Sequence, residues 1–111
     1  MCRALKVLCV AADAGTLSAL RAAAVSAEWE LTPGATGEAD AVGVLDAERP
    51  HVLVVFGPFD RLVSLARERF PAVRIVTDRE TPGATAVATS LEEVRGLIKG
   101  GPRTGGPVIS N

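Results

Sequence analysis

The chain has 111 residues, 48% of them apolar and 23% charged, with a formal net charge of −1. These totals fit one globular domain that can bury a core without metals or disulfides, and they give no electrostatic case for nucleic acid or an anionic membrane. Two cysteines, Cys2 and Cys9, do not make a disulfide framework. No apolar run approaches the roughly 18 residues of a membrane span, and Arg3 and Lys6 interrupt the short N-terminal stretch. A reducing cytoplasm is therefore the expected location.

The elements follow in an alternating order. LKVLCVAA (Leu5–Ala12) is a buried strand, and Asp13 and Gly15 mark a loop. TLSALRAAAVSA is helical, with Leu17, Leu20, Ala24 and Ala27 at apolar spacing. WELT is a short alternating strand, and Pro33 after it suits a sheet edge, because proline cannot donate to a ladder. Thr36 is placed to cap a second helix whose first turn is acidic. Val52 to Phe56 form an unbroken apolar run, the pattern of a strand covered on both faces. Asp60 is placed to cap RLVSLARERF, where Leu62, Leu65, Ala66 and Phe70 share a face and Arg61, Arg67, Glu68 and Arg69 stay wet. VRIVT is a fourth strand and ATAVAT a fifth. SLEEVRGLI is a last helix, with Ser90 as cap and Glu93 at the capping-box position. The division is a domain over 1–99 and a flexible Gly/Pro-rich tail or linker over 100–111.

Five strands and four helices in this order predict an α/β doubly wound fold, a three-layer sandwich around a mostly parallel sheet. One connection is too short for the pattern. Only six residues separate Thr77 from Ala84, whereas a parallel crossover usually needs a dozen or more. Either the last strand runs antiparallel or the chain crosses without a helix.

Taken in order, VLCVAADAGTLSALRAA, WELTPGATGEADAVGVLDAERPHVLVVF, VRIVT and GATAVATSLEEV resemble the receiver domain of bacterial response regulators over Leu5 to Lys99. The resemblance implies the flavodoxin-like strand order 2-1-3-4-5, here with the fourth helix missing. It places the family's Mg²⁺-holding acidic pair on Ala11 and Ala12, with Asp13 next, and the phosphoacceptor position on Phe56. The switch hydroxyl falls on Thr77, and the phosphoryl-contacting lysine falls near Thr89 or Ser90. Aspartyl phosphorylation needs a carboxylate nucleophile, and Mg²⁺ needs several oxygen ligands. Ala11, Ala12, Phe56 and a lone Asp13 do not supply them. The expectation is a degenerate acidic pocket with no catalytic residue, no metal and no cofactor, in which Phe56 fills the space with apolar bulk.

The remaining chemistry-bearing residues have plainer readings. Asp13 and Asp60 stand at helix starts, where capping is the ordinary role, and Thr77 is placed to bond local backbone. His51, the single histidine, has no evident metal or catalytic partners. Cys9 lies on the first strand with no loop arginine to activate a thiolate.

Loss of a helix is expected to uncover one face of the last two strands, and such a patch marks an interaction site. The surface expected from the sequence comprises Thr77, Ala84, Ala86, Val87, Leu91, Val94, Arg95 and Ile98. The leading reading is a non-catalytic receiver-like domain acting through a homodimer, a partner protein or a downstream output domain, with no direct contact to nucleic acid or membrane. The alternative is a small-molecule binder with its ligand among Ala12, Asp13, Phe56, Gly57 and Thr77. A Cys9-dependent phosphotransfer or phosphatase enzyme is the third.

Overall fold

A computed structural model describes residues 5–26, 29–81 and 83–100, the last two by backbone alone. Cys2, Ala27 and the tail from residue 101 lie outside the described residues. The elements are β1 (Leu5–Ala11), α1 (Ala14–Ala24), β2 (Trp29–Leu31), α2 (Glu38–Glu48), β3 (Val52–Phe56), α3 (Asp60–Arg69), β4 (Arg74–Thr77), β5 (Ala86–Val87) and α4 (Leu91–Gly100). The five strands form one sheet in the order β2-β1-β3-β4-β5, and every pairing is parallel.

The unbroken apolar runs follow from cover on both faces, with successive side chains going to opposite sides. Leu8, Val10, Leu53, Val55 and Ile75 pack with Ala41 and Leu45 of α2 and with Leu62, Val63 and Ala66 of α3. Val7, Cys9, Val52, Val54 and Val76 pack with Leu20 and Ala24 of α1 and with Val94 and Ile98 of α4. The result is the three-layer sandwich expected from the sequence.

The helix ends show what local chemistry selects. The Asp13 side chain caps α1, which therefore starts at Ala14, two residues before the predicted start. At the other end, the buried Trp29 indole N–H donates to the Ala24 carbonyl at 2.7 Å, satisfying a C-terminal group that the helix leaves open. Arg74, at the start of β4, donates to the Leu97 and Ile98 carbonyls in the last turn of α4. Two predicted caps move. Gly37, with no side-chain bond, replaces Thr36 at the cap of α2, and Phe59 replaces Asp60 at the cap of α3. Asp60 instead sits in the first turn, where the helix dipole favours its charge. At α4 the Ser90 carbonyl accepts from Glu93 N–H at 3.2 Å, while the Glu93 carboxylate reaches one residue further back, to Thr89.

The short connection resolves as a parallel, helix-free crossing. Thr85 ties the edge: its N–H donates to the Ile75 carbonyl at 2.7 Å, and its hydroxyl accepts from Ile75 N–H at 3.1 Å. Gly83, at φ +95°, lies so close to α3 that a Cβ there would sit 2.9 Å from Arg67 Cγ and 3.4 Å from Val63 Cγ1. The connector thus lies against α3 beside the strand that the missing helix would cover. This corrects the expected bare patch. Ile75 and Val63 are buried, and Val25, far from this edge in sequence, is the exposed large apolar residue among the described ones. The reason is physical: the loop supplies cover, and Ala84, Ala86 and Ala88 leave little apolar bulk to hide.

Candidate functional site at the strand carboxyl ends

Parallel register brings Ala11 beside Phe56, Val55 beside Thr77 and Thr77 beside Val87, so the loops after four strands meet at one rim. In a doubly wound fold this rim is where ligands and chemistry gather.

After β1, Ala11 is buried and Ala12 exposed. Asp13 Oδ1 accepts from Thr16 N–H at 2.7 Å and Oδ2 from the Thr16 hydroxyl at 3.2 Å. These bonds hold its carboxyl below the usual range. After β3, the Phe56 ring packs toward the α1/α4 face, in the cluster containing Val54 and Val94. The next residue, Gly57, has φ +132°, a conformation that side chains disfavour. A Cβ there would meet the Phe59 ring at 3.1 Å and Ala12 Cβ at 3.4 Å.

After β4, Thr77 is 2% exposed, and its hydroxyl donates to the Arg79 carbonyl. Asp78 accepts from Gly57 N–H at 3.3 Å and pairs with Arg79 through two contacts of 3.1 Å. Partial burial pushes the Asp78 carboxyl up. The hydrogen bonds from Arg79 and Gly57 outweigh this, so it ends below its ordinary value. After β5, the Thr89 N–H and hydroxyl donate to Glu93 at 3.0 and 2.9 Å, which lowers the Glu93 carboxyl.

Sequence reading missed Asp78 and Arg79. The available signal was position: DRE follows directly on the carboxyl end of a strand. Among the described residues, no three or more acidic, histidine or cysteine side chains gather so as to hold a metal ion. Three residues of the expected interaction surface are not surface at all. Thr77, Val94 and Ile98 are 2%, 0% and 0% exposed, the last two because helical spacing points them at the sheet. Ala84, Ala86, Val87 and Leu91 are half-buried and Arg95 is exposed.

Cys9 is 1% exposed inside the apolar α1/α4 cluster, and burial pushes its thiol up to about 12 despite the nearby Arg21 charge. That is the environment of an inert cysteine. His51 lies outside the rim. It stands just before β3 at the opposite end of the strands, where its Nδ1 accepts from Lys6 N–H at 3.0 Å.

No family model and no curated protein matches the chain. Solved structures do. A CheY-like response regulator receiver domain protein from Methanospirillum hungatei JF-1 is 16% identical with a TM-score of 0.71, over 87% of this chain and 92% of that one. The isolated REC domain of RcsB from Salmonella enterica serovar Typhimurium, in the presence of phosphomimetic BeF3−, is 15% identical with a TM-score of 0.70, over 94% of each chain. HP1043, an orphan response regulator of H. pylori, is 13% identical with a TM-score of 0.68, over 86% of this chain and 93% of that one. At these identities the likeness is one of fold. The chain has the receiver fold, flavodoxin-like, with strand order 2-1-3-4-5 and four helices.

Proposed function

We propose that this chain is a non-catalytic, receiver-fold signalling module that does not take a phosphoryl group on aspartate and acts through protein contacts. The observation that carries this is the state of the carboxylates at the rim. Phosphoryl transfer to aspartate needs a free carboxylate nucleophile and an oxygen-rich cation site. Here Ala11, Ala12 and Phe56 carry no side-chain oxygen. Both oxygens of Asp13 are engaged by Thr16, and Asp78 is engaged by Gly57 and Arg79. The residues present do not fit Mg²⁺.

The contact surface in this reading is the β5 edge with the start of α4, comprising Ala84, Ala86, Val87, Leu91 and Arg95. β5 is the last strand in the sheet and only two residues long, and an open edge is a template for pairing. Glu80, Thr81, Ala84, Thr85, Ala86 and Val87 line a shallow groove along it. Sedimentation velocity over a wide concentration range tests the self-associating form of this reading. The expected result is a concentration-dependent dimer that Val87→Asp abolishes without unfolding the chain. Val87 suits the test because, unlike Leu91, it is not packed into either core cluster. A chain that stays monomeric throughout, or a dimer indifferent to Val87→Asp, overturns that form and leaves a different partner protein as the one to seek.

A further inference from the structure

At the opposite end of the sheet, the ends of α2 and α3 border an open cavity of about 350 Å³. Arg49, His51, Arg69 and Phe70 line it, together with the buried Pro50 and Val73. Arg49 closes α2 in the left-handed region at φ 51°, its N–H bonded to the Leu45 carbonyl. Its guanidinium lies 5.7 Å from the centre of the Phe70 ring, and that of Arg69 lies 5.6 Å from the same centre. Two positive charges therefore share one aromatic ring, and among the described residues neither has a carboxylate partner. Glu48, the acidic residue next to Arg49 in the chain, is paired with Lys6 at 3.3 Å.

The lining is rich in donors, the Arg49 and Arg69 guanidiniums, with Arg49 Nε on the Asp46 carbonyl at 3.2 Å, and several of its acceptors are taken. His51 Nδ1 already accepts from Lys6 N–H, so the neutral ring carries its proton on Nε2. The His51 carbonyl accepts from Arg74 N–H, the Phe70 carbonyl from Val73 N–H, and the Pro71 and Val73 carbonyls from Arg67. Both guanidiniums line the same cavity, so an anion seated in it is attracted by both. The guanidinium fork suits a carboxylate or a phosphate. The proline, valine and phenylalanine surfaces suit an apolar body attached to it.

We propose that this cavity binds an oxyanion, a carboxylate or a phosphate monoester, carried on an aromatic or similarly flat apolar body. It stands apart from the strand carboxyl ends and does not depend on the reading given for them.

The single histidine makes the test direct, because one imidazole signal in a heteronuclear NMR spectrum reports the site. The probes are benzoate, phenyl phosphate, inorganic phosphate and the neutral benzamide. Benzoate or phenyl phosphate is expected to shift the His51 signal saturably, with binding weakened by high salt, and benzamide to leave it unmoved. The stronger of the two anions identifies the head group. In an Arg49→Asn, Arg69→Ala variant, binding is expected to weaken at least about tenfold, the worth of one charged hydrogen bond. Both side chains are exposed, and asparagine tolerates the left-handed backbone at residue 49. Should that variant lose its fold, the salt dependence and the benzamide control decide. No saturable shift with any anion, an equal response to benzamide, or undiminished binding in a folded double variant overturns the proposal. Equal affinity for inorganic phosphate and phenyl phosphate overturns the assignment of an apolar body.

Discussion

Gly83→Ala tests whether the connector between β4 and β5 replaces the cover of a helix. At φ +95° an L-residue carries a backbone penalty of roughly 1–2 kcal/mol. The new Cβ would also stand 2.9 Å from Arg67 Cγ. Cγ is the root of the Arg67 side chain, which also donates to the Pro71 and Val73 carbonyls, so relieving the clash adds roughly 1–2 kcal/mol of the usual overpacking cost. The expected total is about 2–4 kcal/mol. For a domain of this size that is a fall in melting temperature of roughly 10–30 °C. Urea denaturation should show a lower midpoint with an unchanged slope. In an Arg67→Ala background the steric part disappears and the cost should drop to about 1–2 kcal/mol. A Gly83→Ala chain within about 0.5 kcal/mol of wild type in both backgrounds would refute the packing of this loop on α3.

Three further outcomes follow from the same geometry. Asp13, Asp78 and Glu93 all have folded pKa values below their unfolded ones, so their stabilisation is complete above the unfolded values and is lost as pH falls through the folded ones. Melting temperature should therefore hold near neutral pH and fall below about pH 4, and Asp13→Asn with Asp78→Asn and Glu93→Gln should flatten that acid limb. Cys9 should resist alkylation in the folded chain and react only on unfolding, as read by mass spectrometry in a Cys2→Ser background, while Cys9→Ser buries a hydroxyl at a cost of about 1–3 kcal/mol. Arg74→Ala removes two donors from the last turn of α4 and should cost about 1–2 kcal/mol by denaturant titration, with amide exchange rising first at the end of that helix.

The sheet was legible because its signals are local. Val52 to Phe56 are apolar without a break, and Pro33 stands beside the edge strand that it suits. The missing helix could be read from the six residues between Thr77 and Ala84. The direction of β5 could not, because it depends on Thr85 meeting Ile75 ten residues away in the chain. The strand expected over ATAVAT shrinks to Ala86–Val87: before it, the Thr85 side chain takes the Ile75 N–H that a strand carbonyl would take, and after it, once Ala88 N–H has bonded the Thr77 carbonyl, the chain turns into α4. At the rim, Asp13 as a cap followed from its place before a helix. The Asp78 bond to Gly57 spans 21 positions and follows from no local pattern. The cluster of Arg49, Arg69 and Phe70 is hidden for the same reason, since the ends of two helices meet only in the folded chain.

The most direct measurement is the intact mass of the folded chain after incubation with Mg²⁺ and a small phosphodonor such as acetyl phosphate. With no side-chain oxygen on Ala11, Ala12 and Phe56, and Asp13 and Asp78 already bonded, the mass should not change. A chain that gains one phosphoryl group, acid-stable and hydroxylamine-labile as an aspartyl phosphate is, would contradict the account at its centre.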